Sequence, residues 1–143
     1  MEEIVIDGKG KILGRLATSV AKMLLNGKKV ALINAENILI SGDKNDLVKK
    51  YKQRIELKDK ANPEHSPYWS RRPDLFVKRV IRGMLPYKKA KGRNAYKLLR
   101  VYTGIPGAYE NAKPVQIESK NPNEMYANTI TVGNLMKLLG YNR

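Results

Sequence analysis

The spacing of hydrophobic positions changes several times along the chain, and each change marks an element. Ile4-Val5-Ile6 is a short apolar run closed by Asp7-Gly8, a pair that turns the backbone readily, so a first strand is predicted there. From Leu13 the period lengthens. Leu13, Leu16, Ala17, Val20, Ala21 and Leu24 recur at spacings of three and four, and Asn26-Gly27 stands where a left-handed cap belongs, which predicts an amphipathic helix. Lys29 to Ile33 reads as a mostly buried second strand, and Ile38-Leu39-Ile40 as a third apolar stretch ending at Ser41-Gly42. Strand, helix, strand in that order predicts a right-handed parallel unit.

Ser41 or Asp43 can cap a following helix with Leu47, Val48, Tyr51 and Ile55 inward and Lys49, Lys50, Lys52, Arg54 and Lys58 around the rest. Residues 59 to 73 carry Pro63, Pro67 and Pro73 among Asn62, Ser66 and Ser70, and are predicted as a loop inserted between elements of one fold. Pro73 suits the first turn of a helix whose stripe is Phe76, Val77, Val80, Ile81, Met84 and Leu85, stopped by Pro86. Gly83, inside that helix, is expected to mark a close contact that tolerates no side chain. Tyr87 to Arg93 reads as a basic connector containing Gly92, and Ala95, Leu98, Leu99 and Tyr102 predict one further helix before Thr103-Gly104-Ile105-Pro106-Gly107. Val115-Gln116-Ile117 is a candidate short strand, and Thr131 a candidate cap for a last helix carrying Leu135, Met136, Leu138 and Leu139 up to Gly140. No internal repeat or domain boundary interrupts this series, so residues 1–143 are expected to form a single domain.

Composition agrees with one folded domain: 143 residues, 42% hydrophobic and 29% charged. Charge adds more. Lys and Arg number 28 against 13 Asp and Glu, for a formal net charge of +15. Residues 44–100 alone hold 18 of the cations and five of the acids, +13 of that total. A positive field confined to one segment implies a polyanionic partner, nucleic acid first and an anionic membrane surface as its rival. The absence of cysteine excludes a disulfide framework and a thiolate metal site, and fits a reducing compartment. No run approaches 18 apolar residues, and the acidic start leading straight into a strand is not expected to be a signal peptide.

The feature most like an enzyme's is Gly8, Gly10 and Gly14 between the first strand and helix, with Glu36 just beyond the second strand. It imitates a dinucleotide fingerprint, in which a pyrophosphate rests on the helix N-terminus and the carboxylate takes a ribose hydroxyl. The spacing is one residue longer than the usual form, Lys9 and Lys11 make the turn basic, and the plainer reading is a tight strand-to-helix turn. A Rossmann-like dinucleotide-binding enzyme is therefore the alternative rather than the leading reading. His65 is the single histidine, so no histidine pair can hold a metal, and Ser66 beside it has no evident orienting partner. Neither an activity nor a cofactor or metal is expected.

The strongest constellation is His65-Ser66-Pro67-Tyr68-Trp69-Ser70-Arg71-Arg72-Pro73, with rings, guanidinium groups and stiffening prolines in nine positions. Tyr68 and Trp69 suit stacking on unpaired bases, Arg71 and Arg72 suit phosphate, and His65 suits a bond or stack with RNA. The competing reading for Tyr68 and Trp69 is that they pack the loop onto the core. Around this loop, Lys49, Lys52, Arg54 and Lys58 precede it. Lys78, Arg79 and Arg82 lie off the apolar stripe of the next helix, and Lys88, Lys89, Lys91 and Arg93 follow in the connector. Together these residues are the expected RNA-binding set.

Ile81-Arg82-Gly83-Met84-Leu85-Pro86, followed by Lys88-Lys89, Gly92-Arg93 and Leu99-Arg100-Val101-Tyr102-Thr103-Gly104, resembles the universal large-subunit ribosomal protein thirteen family. The likeness extends to Ile6-Asp7, Leu13-Gly14-Arg15-Leu16-Ala17, Asn34-Ala35-Glu36 and Ser41-Gly42-Asp43-Lys44, nearly the whole chain. It implies an α/β fold in three layers, α/β/α, with a small, largely parallel sheet of about four strands and a basic loop and helical insertion. It also implies a structural constituent of the large ribosomal subunit, cytoplasmic, that binds large-subunit ribosomal RNA and helps organise it during assembly. Neighbouring large-subunit proteins would be partners, with no membrane and no small-molecule substrate. Thr103-Gly104-Ile105-Pro106-Gly107 departs from the Gly-Tyr-Pro-Gly-Gly form of bacterial members, and the chain stops without the long basic extension of eukaryotic ones, so the resemblance is to the archaeal branch.

Overall fold

A computed structural model describes residues 3–117 and 128–141. Strand β1 (Glu3–Asp7) leads through the glycine turn into helix α1 (Leu13–Leu25) and then β2 (Lys29–Ile33). The two strands pair in parallel with Ile4 opposite Val30 and Ile6 opposite Leu32, the unit expected from the change of period. Gly27, at φ 83, supplies the left-handed residue after the helix. β4 (Leu99–Val101) pairs in parallel with the other edge of β2, Val30 opposite Leu99 and Leu32 opposite Val101, so the order is β1-β2-β4. Because side chains alternate along a strand, Ile4, Ile6, Val30, Leu32, Leu99 and Val101 share one face and join the α1 stripe in one core. Ala31 and Ile33 are buried on the opposite face, which is why central β2 is an unbroken apolar run.

The third apolar stretch does not enlarge this sheet. β3 (Leu39–Ser41) pairs antiparallel with β5 (Thr129–Thr131), Ile40 opposite Ile130. The described strands thus form a three-stranded parallel sheet and a separate two-stranded pair. Helix α2 (Lys44–Glu56) buries Leu47 and Tyr51, and Val48 and Ile55 are half-buried; Asp43 occupies the cap position without a capping bond. Thr131 does cap α5 (Val132–Leu138), accepting from the Asn134 amide at 3.2 Å.

Helix α3 (Pro73–Gly83) has Pro at its first turn and seats Phe76, Val77 and Ile81 in the core, but it ends before Met84, which is 41% exposed. The chain departs from its sequence pattern at three further places. Helix α4 (Ala90–Lys97) begins inside the supposed connector, and Leu99, read as part of a helix, lies in β4. Ala95, Leu98, Leu99 and Tyr102 have helical spacing, yet the open edge of β2 claims this stretch: the Val30 amide donates to Leu98 O and the Tyr102 amide to Leu32 O. Gly83 faces open space, and the close approach lies instead at Gly92, where an added Cβ would fall 2.1 Å from the Pro86 carbonyl oxygen. Val115 to Ile117 is not a regular strand, although the Val115 amide donates to Val5 O at 2.9 Å and Ile117 is buried.

Candidate nucleic-acid interface

The proline-rich loop is built from short-range bonds. Asp59 Oδ1 accepts from the amides of Ala61 and Asn62, Ser66 Oγ accepts from the Asp59 amide at 2.7 Å, and residues 63 to 65 make one tight helical turn. The loop is then pinned by Trp69, whose ring centre lies 6.1 Å from that of Tyr51 on α2 and 6.2 Å from that of Phe76 on α3. Tyr51 and Phe76 meet edge to face at 5.0 Å. Trp69 thus anchors the loop to the core, as the competing reading had it. Tyr68, 79% exposed, does not.

Trp69 also gathers cations from two helices. The Arg54 guanidinium of α2 lies 5.1 Å from its ring centre and the Arg79 guanidinium of α3 lies 4.3 Å away, both within cation–π range. Further along α3, Arg82 sits 4.2 Å from the Tyr87 ring, Tyr87 meets Tyr96 of α4 edge to face at 5.5 Å, and Lys78 lies 5.0 Å from Tyr96. Burial pushes the Tyr51 hydroxyl up against the pull of the Arg54 charge, and pushes Tyr96 up against that of Arg82. Both rings therefore carry no phenolate charge at neutral pH. Tyr51, Tyr87 and Tyr96 were missing from the sequence-based set; the available signal was aromatic residues interleaved with basic ones.

Among the described residues, carboxylates neutralise little of this charge. Among the described residues the only ion pair joins Arg72 to Asp74 at 3.0 Å, and the Arg72 side chain remains largely exposed. Arg71 and Arg72, the residues most suggestive of phosphate binding in the sequence, both have partners in the protein: Arg71 Nε donates to Leu139 O at 2.9 Å, at the C-terminal end of α5. Arg93 donates to Lys88 O at 3.0 Å and so braces the start of α4. Lys49, Lys52, Lys58, His65, Lys88, Lys89 and Lys91 are exposed, whereas Arg54, Lys78, Arg79 and Arg82 are half-buried with their stems in the protein. The ring contacts bring together Arg54, Trp69 and Arg79, and separately Arg82 and Lys78 through Tyr87 and Tyr96. Lys49, Lys52, Lys58, His65 and Lys91 have no such link.

At the glycine turn, the amides of Gly8 and Gly10 and the Glu36 carboxylate have partners within the protein. The Gly8 amide donates to Ile33 O at 3.0 Å and the Gly10 amide to Asn37 O at 3.2 Å. Both Glu36 carboxylate oxygens accept from the Gly104 amide, at 2.9 and 3.1 Å. An added Cβ on Gly8 would fall 2.6 Å from the Ile38 side chain, so this glycine serves close packing. Among the described residues no group of three or more His, Cys, Asp or Glu is placed to hold a metal, and no helix is long and apolar enough to cross a membrane.

Residues 1–108 match the family model described as "Ribosomal protein L13". The "Large ribosomal subunit protein uL13" of Methanosphaera stadtmanae is 45% identical over 137 residues, covering 95% of this chain and 96% of the relative. The proteins of the same name from Methanococcoides burtonii and Methanopyrus kandleri are 43% and 40% identical, covering 95% and 98% of this chain and 96% and 88% of the relatives. With the model covering most of the chain and these archaeal relatives nearly all of it, the protein belongs to the ribosomal protein L13 family.

Proposed function

We propose that this protein is a structural constituent of the large ribosomal subunit, not an enzyme, acting in the cytoplasm, and that the cations of residues 44–100 bind large-subunit ribosomal RNA. The observation that carries the proposal is the state of those cations. One ion pair aside, no described carboxylate neutralises them, and aromatic rings hold the guanidinium groups of Arg54, Arg79 and Arg82 in place. Positive charge kept unpaired and ordered is costly by self-repulsion and becomes favourable only when phosphates replace their counterions with it. An A-form major groove admits no side chains, so such a surface follows RNA by backbone and shape and reads bases only where they are unpaired.

In this reading Lys49, Lys52, Lys58, Lys88, Lys89 and Lys91 act as point charges, while Tyr68 and His65 are exposed on the loop for stacking. Arg71, Arg72 and Arg93 combine a phosphate contact with their bonds inside the protein. Neighbouring large-subunit proteins and a part in ordering the RNA during assembly belong to the same proposal. So does the single domain 1–143, supported by a core that draws on residues from Ile6 to Met136. The α/β/α layering is supported on one sheet face, where α1 packs against α3 and α4. Hydroxyl-radical footprinting of large-subunit RNA with the purified protein tests the function: a discrete protected region is expected, and uniform cleavage would refute it.

A further inference from the structure

Between the proline-rich loop, the end of α3 and the start of α4 lies an open cavity of about 600 Å³, within the roughly 300–1,000 Å³ range of small-molecule sites. Its lining combines Trp69 and Tyr87 with Arg79, Arg82, Lys88 and Lys89 and with the apolar side chains of Leu85 and Pro86. We propose that this cavity is a nucleotide pocket, which takes one unpaired, unstacked nucleotide of the bound RNA. The inference rests on the RNA-binding reading above and goes beyond it. A surface that only follows phosphates needs no concavity and no rings.

The chemistry of the lining divides by role. Arg79 and Arg82 each line the cavity while resting on a ring, Trp69 at 4.3 Å and Tyr87 at 4.2 Å. A guanidinium backed by a ring is ordered before ligand arrives, and its planar surface stacks on a nucleobase. Lys88 and Lys89 are exposed at the mouth, where a flexible ammonium suits phosphate rather than a base. Helix α4 starts beside them with no acid in its first turn and no side-chain cap, which leaves the positive end of its dipole to an anion. Gly92 holds the site's shape: its close approach to the Pro86 carbonyl lets α4 pack against the chain that lines the cavity. A paired base cannot enter, because its edge and both faces are taken within the helix. An unpaired one can.

Trp69 is the only tryptophan in the chain, so its fluorescence reports occupancy directly. The experiment titrates the full-length protein with a uridine decamer, with an abasic decamer carrying the same phosphates, and with large-subunit RNA. The uridine decamer is expected to quench Trp69 and bind at least about fivefold more tightly than the abasic one, the lower end of what one stacked base contributes. Arg82→Lys, which keeps the charge and removes the planar group, and Tyr87→Leu, which keeps bulk, should each bring the two decamers close to parity. The salt dependence of large-subunit RNA binding should be unchanged in both variants. Equal affinity and equal quenching by the two decamers in the unsubstituted protein would overturn the pocket while leaving the RNA-binding reading intact. So would binding of large-subunit RNA with no binding of either decamer. Failure to bind large-subunit RNA at all would instead remove the reading on which the pocket rests.

Discussion

The Arg79 guanidinium rests 4.3 Å from the centre of the Trp69 ring, and Trp69 itself packs on Phe76 in the core. One side chain therefore anchors the proline-rich loop and orders a cation of the neighbouring helix. Local stability and surface chemistry are tied together at this point.

Trp69→Ala is expected to cost about 2 kcal/mol, less than a fully buried tryptophan because the ring is only half-buried. It should also weaken RNA binding, because Arg54 and Arg79 lose their common support. Trp69→Phe should recover most of both. Urea unfolding followed by circular dichroism, alongside RNA titration, measures the pair; a stable Trp69→Ala protein would show that the loop is held by something else.

Two of the helical glycines, Gly92 and Gly83, separate cleanly. Gly92→Ala places a methyl group 2.1 Å from the Pro86 carbonyl oxygen, a backbone atom that cannot step aside, and is expected to cost roughly 2 kcal/mol or more. Gly83→Ala meets nothing within 4 Å and is expected to leave stability unchanged or raise it by up to about 1 kcal/mol. Comparing the two urea midpoints tests the placement of α4 against Pro86, and similar midpoints for both variants would contradict it.

Arg71 is expected to behave unlike the lysines. Arg71→Ala removes its bond to Leu139 O at the end of α5, so it should lower stability by roughly 1 kcal/mol as well as RNA affinity. Lys88→Ala with Lys89→Ala should lower affinity alone. Thermal melts and binding curves on the same samples distinguish them. An Arg71→Ala protein with an unchanged melting temperature would mean that its bond to α5 contributes nothing.

The sequence discloses most where a single period governs a long enough segment. Helix α1 and strand β2 could be read almost to the residue, because thirteen residues at helical spacing and the four-residue apolar run after Lys29 each admit one interpretation. β4 could not. Three residues carry no period of their own, and Leu99 happens to fall four after Ala95, so only the free edge of β2 reveals it as a strand. The partner of β3 was equally hidden, since β5 lies some ninety residues later in the chain. At the site, the identity and density of the cations were plain, as was the aromatic character of the loop. Their pairing was not: Arg54 and Arg79 meet over Trp69 only because α2 and α3 converge there, and the Arg71 to Leu139 bond joins residues 68 apart.

In the proposed function, phosphates neutralise the cations of residues 44–100 that no described carboxylate pairs. The most direct measurement is the affinity of the purified protein for large-subunit RNA as salt is varied. A logarithmic plot should be linear and steep, with a loss of roughly a thousandfold between 50 and 200 mM for about six phosphate contacts. Replacing Lys88, Lys89 and Lys91 together with alanine should reduce the slope by about one for each phosphate contact removed. A flat plot, or one that the triple replacement leaves unchanged, would contradict the claim.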